Sequence, residues 1–237
     1  MIPFLAHGEL AKEAGAALLG ASGSIVGLLT DALLDGDSDL ALRQRIPRIL
    51  AAEGSDRAVD GLLLGLEDAR FEVRFQCGRA LARLRDGRPG LVIDRGRIFA
   101  VVLRDVEVDR SVWEGQRLLA RLIDPGDSPL VDDYLRDRAH RSLEHVFTVL
   151  SLVLPSAPLR IAFRALHTEE PALRGTALEY LESVLPPPVR ERLWPFLEER
   201  GAPHPVERSR DEILNELVQA NRSVEINLAE LRKKLDP

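Results

Sequence analysis

Apolar residues recur at three- and four-residue spacings through most of the chain, the period of a helix that buries one face. The pattern predicts helices over Leu10–Leu19, Ile25–Leu34, Leu40–Leu50, Val59–Leu66 and Phe71–Leu84. It returns over Ile98–Val106, Val112–Ile123, Val131–Leu154, Leu159–Leu166, Leu173–Leu185 and Val189–Leu197. Between these segments stand Gly36, Gly54, Pro125-Gly126 and Pro186-Pro187-Pro188, ordinary helix stops. Gly36, Gly54 and Gly126 follow helices and read as C-caps rather than phosphate-cradling loops. No long alternating run predicts a sheet. Asp86–Arg97 reads as a loop, with Leu91-Val92-Ile93 the one stretch that would suit a short strand. The expected fold class is all-α.

Some of these helices echo one another. Asp37–Arg43 superimposes on Asp68–Arg74 at an offset of 31, and the same offset matches Ile46 with Cys77, Ile49 with Ala80 and Leu50 with Leu81. Arg79–Leu84 matches Arg117–Leu122 at an offset of 38, and Leu173-Arg174 with Tyr180-Leu181 matches Val73-Arg74 with Ala80-Leu81 at 100. Helix pairs repeating every 31 to 38 residues predict an α-solenoid. An Asp followed six residues later by an Arg that itself follows Leu or Val, opening an amphipathic helix, resembles the turn within a HEAT repeat. Asp37 with Arg43 and Asp68 with Arg74 carry it, while Thr168 replaces the Asp before Arg174. The resemblance is good over 37–84, fair over 157–199 and degenerate over 98–154. It implies a HEAT-like array of helix pairs over residues 1–205, with acidic and basic residues laddering neighbouring repeats. Asp37, Arg43, Asp68 and Arg74 would then be structural first. The block Leu173–Leu197 is similar to HEAT-type segments appended to bacterial membrane proteins of the nucleotide-transporter-like class. That similarity implies a cytoplasmic regulatory domain with a membrane-protein partner.

Residues 206–237 stand apart. Leu214, Leu217, Asn221, Val224, Leu228, Leu231 and Leu235 are spaced alternately by three and four, an a/d heptad seam with Asn221 at an a-type position. The expected long C-terminal helix, Arg210–Asp236, either caps the apolar edge of the last repeat or forms a homodimeric or partner-binding coiled coil.

Composition narrows the function. The chain of 237 residues is 45% hydrophobic and 5% aromatic, so its core is aliphatic. The single cysteine, Cys77, excludes an intramolecular disulfide framework and favours a reducing, cytoplasmic compartment. The apolar run Ala14–Thr30 is diluted by Gly and Ser, and Val146–Leu154 is about half the length of a membrane span. A net charge of −6 argues against broad nucleic-acid binding. Yet 29 of the 32 basic residues are Arg, and Arg43, Arg45, Arg48, Arg70, Arg74, Arg79, Arg83, Arg85 and Arg88 crowd one stretch. Arginine engages carboxylate and phosphate bidentately, so a groove here suits an acidic peptide, a nucleotide or a nucleic-acid backbone. One HEAT-like class binds DNA and excises alkylated bases, which requires a basic face with exposed aromatics; the candidates here are Trp113 and Trp194, and Trp194 reads as packing. Arg74, Arg79 and Arg83, with Leu214, Leu217, Asn221 and Leu228, are the residues expected to meet a partner.

No catalytic pattern stands out. Asp133, Asp137, His140 and Glu144 lie on one face of the Val131–Leu154 helix at metal-ligand spacing, but no second ligand cluster is evident and Asp137 can pair with Arg141. That face reads as an ordinary solvated one, opposite a core stripe of Leu135, Ala139, Leu143, Val146, Phe147 and Leu150. His140 and His145 do not form HExxH, and GxSxG, P-loop and GxGxxG patterns do not occur. His7, His167 and His204 are isolated, in surface or cap roles, and Cys77 is a small core residue. The expected function is a non-enzymatic helical-repeat scaffold that binds a protein partner and needs no metal or cofactor.

Overall fold

The computed structural model describes residues 1–7, 9–122, 129–168 and 170–197, and the side chains among them except Ser22, Ser24 and those of 109–136. The described residues are all-α. A 3-10 turn, Ile2–Ala6, precedes α1 (Ala11–Gly20), and a second, Ser22–Ile25, leads into α2 (Val26–Leu34). Then follow α3 (Leu40–Glu53), α4 (Asp56–Gly65), α5 (Phe71–Gly87), α6 (Arg95–Leu122) and α7 (Pro129–Leu150). The last described helices are α8 (Ser156–Leu166), α9 (Pro171–Val184) and α10 (Pro187–Leu197). The chain divides into two compact units, Met1–Val101 and Val102–Pro237.

In the first unit, α2 packs on α3 and α4, and α3 packs on α4 and α5, so α2 and α4 share one layer and α3 and α5 the other. The turns are built from capping chemistry. Asp39 accepts from the amides of Ala41 (2.8 Å) and Leu42 (3.2 Å) at the start of α3. Gly54 ends α3 at φ 73°, where only glycine is unstrained, and its N–H donates to the Leu50 carbonyl. Ser55 caps α4 through the Ala58 amide (3.2 Å). The sequence echo is a structural one, since α3 and α5 start at Leu40 and Phe71, 31 residues apart. Leu42 and Val73, Arg43 and Arg74, Ile46 and Cys77, Ile49 and Ala80, and Leu50 and Leu81 are buried at both members of each pair. Helix α4 is approached closely from both sides at Gly65, where a Cβ would lie 2.5 Å from Cys77 Sγ of α5 and 3.3 Å from Leu33 Cδ2 of α2. Leu29, Leu33, Ile46, Leu50, Leu62, Leu66 and Leu81 fill the core; each fully buried aliphatic side chain contributes about 1.5–3 kcal/mol.

In the second unit, α8 packs on α7 and α9, and α10 on α9. Val146, Phe147, Leu150, Leu159, Ala162, Tyr180, Leu181 and Leu193 are buried there, as is the expected stripe residue Ala139, while Leu143 is half-buried.

Three boundaries differ from the periodicity. Ile98–Val106 and Val112–Ile123 join into the single helix α6, because the intervening Glu107–Ser111 loses the apolar period without supplying a Gly or Pro to stop the backbone. The seventh helix ends at Leu150 rather than Leu154. Its final turns tighten, with Leu152 N–H to Val149 O and Val153 N–H to Leu150 O, ahead of Pro155, which disfavours helix in the residue before it. Pro47 and Pro195, for their part, lie inside α3 and α10. Residues 88–94 form no strand, as expected of a loop, although α5 extends into it as far as Gly87. Of the expected caps, Gly54 is the one glycine with positive φ among the described residues; α2 instead closes on Asp35 in an extended conformation, and Gly126 lies outside the described residues. The segment 206–237, with Leu214, Leu217, Asn221 and Leu228, also lies outside them, as do His204 and the side chains of Trp113 and Asp133.

Candidate functional site

The arginine-rich stretch separates into two sets, and the separation follows from helix register. Arg43 and Arg74 are each the fourth residue of their helices and turn inward, 3% and 2% exposed. Arg43 Nε donates to the Leu33 carbonyl (2.8 Å), and its Nη2 pairs with Asp68 Oδ2, joining α3 to the turn before α5. Arg74 Nη1 donates to the carbonyls of Asp68 (3.0 Å) and Ala69 (3.1 Å). Arg74 is therefore removed from the candidate partner contacts: a guanidinium folded into the core to satisfy turn carbonyls offers nothing to a surface. Asp37, matched to Asp68 in sequence, is exposed instead; residues 1–36 contain no arginine to form a rung with it.

Arg79 and Arg83, one turn apart on α5, are exposed together. Arg48 on α3 occupies the register position of Arg79, 31 residues earlier, and is exposed as well. Among the described residues none of these three guanidiniums has a carboxylate within ion-pair distance. Several other basic side chains of the first unit are engaged: Arg45 with the Leu5 carbonyl, Arg88 with Asp56 (2.9 Å) and Arg97 with Glu67 (3.0 Å). The Arg79 guanidinium lies 5.6 Å from the centre of the buried Phe75 ring, which fixes its base on the helix while its donors face water. The outcome is a basic face spanning α3 and α5, flanked by Gln44 and Gln76, both half-buried. Arg48, part of the arginine-rich stretch, is not among the residues expected to meet a partner, although the offset that matches Ile46 to Cys77 also matches Arg48 to Arg79.

The second unit holds two polar clusters that spacing did not reveal. Asp105 on α6 and His145 on α7 are fully buried, with Oδ2 and Nε2 3.1 Å apart. Ser142, one turn before His145, is buried too. With none of the three exposed, the group joins α6 to α7 and presents no reactive atom to a substrate. Nearer the surface, His140 Nδ1 lies 3.2 Å from His167 Nε2, and His167 Nδ1 lies 2.8 Å from the Phe163 carbonyl. His167 does cap α8, as expected, but it is not isolated. On the predicted acidic stripe, Asp137 and His140 are exposed and Glu144 is half-buried, and Asp137 pairs with Arg141 at 3.8 Å. No group of three or more His, Cys, Asp or Glu able to hold a metal gathers among the described residues.

Cys77 is a core residue, fully buried against the α2–α4 crossing. Burial first, then the Asp68 charge, raises its thiol far above the ordinary cysteine value, so it is protonated and unreactive in the folded chain. No helix of the described residues is long and apolar enough to cross a membrane. No protein-family model, curated protein or solved structure matches the chain.

Proposed function

We propose that the chain is a non-enzymatic helical-repeat scaffold, a HEAT-like α-solenoid, that binds an acidic segment of a protein partner through Arg48, Arg79 and Arg83. One observation carries the reading: three exposed guanidiniums without acidic partners among the described residues stand on the packed helices α3 and α5, Arg48 and Arg79 at matching register and Arg83 a turn beyond, while Arg43, Arg74 and Arg88 are committed to carbonyls and carboxylates. Bidentate donors on a rigid pair of helices suit carboxylates, and the spacing between helices favours an extended or helical acidic segment over a single small anion. The net charge of −6 disfavours a long polyanion.

The test is titration of a poly-glutamate peptide and of random-sequence duplex DNA into the full chain and into the Arg48→Glu/Arg79→Glu/Arg83→Glu variant. Wild type binds the peptide at low salt, and affinity falls as ionic strength rises past about 0.1 M, where screening shortens to about 10 Å. The variant loses peptide binding with unchanged circular dichroism. DNA binding of equal or greater strength, falling steeply with salt and abolished in the variant, would move the reading to nucleic acid. Equal peptide binding by the two chains would remove this face from the function altogether.

A further inference from the structure

Two exposed histidines, 27 residues apart in sequence, meet at the junction of α7 and α8. The Phe163 carbonyl only accepts, so the His167 Nδ1 beside it carries the proton. In the neutral ring Nε2 is then a bare lone pair, and it points at His140 Nδ1, which donates to it. A nitrogen ligand whose other ring N–H is tied to a backbone carbonyl is the arrangement that fixes tautomer and ring orientation in metal-binding histidines. The separation fits as well. Two nitrogens at about 2.0–2.1 Å from one ion, subtending 90–110°, stand about 2.9–3.4 Å apart; here they stand 3.2 Å apart.

The surroundings hold both rings in place. Phe163 packs against His167 at 4.6 Å and His140 at 5.5 Å between ring centres, and the buried Phe147 backs Phe163 at 5.2 Å. Both imidazoles remain exposed, which leaves room for water to fill further coordination positions. Glu144 lies one turn further along α7, on the His140 face.

We propose that His140 Nδ1 and His167 Nε2 form a two-nitrogen site for a borderline divalent transition metal, Cu²⁺, Ni²⁺ or Zn²⁺, with water completing the coordination. Imidazole ligands favour these ions over Mg²⁺ and Ca²⁺, which take oxygen. On binding, His140 moves its proton from Nδ1 to Nε2, so the neutral pair releases no net proton, and the ion replaces the hydrogen bond between the rings. The ion would tie α7 to the C-terminal end of α8.

Titration of the full chain with CuCl₂ and NiCl₂ tests the site, followed by calorimetry and by the visible spectrum of Cu²⁺. Wild type takes up one equivalent that H140Q and H167Q each weaken by about tenfold or more, the size expected when a metal site loses a ligand or its orienting partner. H7Q binds as wild type does, and MgCl₂ gives no heat. Circular dichroism of the apo variants checks folding, and if one is unfolded, the other decides. Absence of a saturable site in wild type up to millimolar Ni²⁺ and Cu²⁺, or undiminished wild-type affinity in H140Q and H167Q, overturns the proposal.

Discussion

The pair Arg43–Asp68 gives the sharpest test of how the helices of the first unit are fastened together. Its side chains are 3% and 9% exposed, so both charges are essentially out of water. Arg43→Met removes the donor to the Leu33 carbonyl and strands the Asp68 carboxylate, which keeps the Arg70 amide at 2.8 Å. Breaking a buried pair from one side costs about 3–5 kcal/mol, because the remaining charge stays desolvated. Asp68→Asn is milder, about 1–3 kcal/mol, since Arg43 still satisfies Leu33 and an amide oxygen can still accept. The double variant buries no unpaired charge and should be less destabilised than the sum of the singles by about 2 kcal/mol, within the range for residues in contact. Urea unfolding followed by circular dichroism gives the energies. Hydrogen exchange on peptides from residues 26–87 shows whether the loss is local to α2–α5, where 1.4 kcal/mol is about a tenfold faster opening. Singles that add to the double within about 0.3–0.5 kcal/mol would show no coupling, and the pair would then be no rung between α3 and the turn before α5.

Other outcomes follow from single contacts. Gly65→Ala places a Cβ 2.5 Å from Cys77 Sγ; it should lower stability by about 1–3 kcal/mol from overpacking, and in a Cys77→Ala background the same change should be neutral or stabilising by urea midpoint. Iodoacetamide should label Cys77 only as fast as the chain unfolds, measured by mass shift in native buffer and in urea. Asp35 is held below its ordinary 3.8 by the Ser38 hydroxyl and then the Asp37 amide. A depressed carboxylate contributes stability above 3.8 that disappears as pH falls through the lowered value, so the stability difference between wild type and Asp35→Asn should be present at neutral pH and absent in strong acid. Arg174→Met removes donors to the carbonyls of Leu166 and Leu197, each at 2.7 Å, and should speed exchange in α8–α10 by about tenfold or more.

What the sequence made legible is what short-range physics controls. Apolar spacing located α1–α5 and α8–α10 to within a few residues, because Asp39, Gly54 and Ser55 bracket helices with local hydrogen bonds. It splits α6 in two because a polar stretch looks like a break when only apolar positions are counted. Sequence alone admits Arg74 both as structural and as a surface contact; about a turn of helix separates an inward arginine from an outward one, and only the echo with Arg43 favours the inward reading. The two polar clusters of the second unit were beyond reach. His140 meets His167, and Asp105 meets His145, only after helices far apart in sequence have packed. The acidic stripe of α7 is legible in the sequence; the histidine that meets it from the end of α8 is not.

The position-four arginines separate what the fold uses from what it leaves exposed. Arg43, Arg74 and Arg174 are the fourth residues of α3, α5 and α9, and each reaches back to carbonyls at the end of the preceding helix or its turn. Those carbonyls lack helical partners and carry the negative end of the helix dipole, so a planar cation with several donors is the natural satisfier. The second arm varies with what is near. In Arg43 it meets Asp68; in Arg174, where Thr168 stands in place of Asp, it meets the Leu197 carbonyl. Position nine behaves differently. It is Arg48 in α3 and Arg79 in α5, but Glu179 in α9, although position four is arginine in all three. Helix packing thus requires the cation at position four and is indifferent to charge at position nine. Two arginines at position nine on adjacent helices, with Arg83 a turn beyond, are therefore left by the fold to face outward, which is what the proposed docking of an acidic segment across α3 and α5 requires.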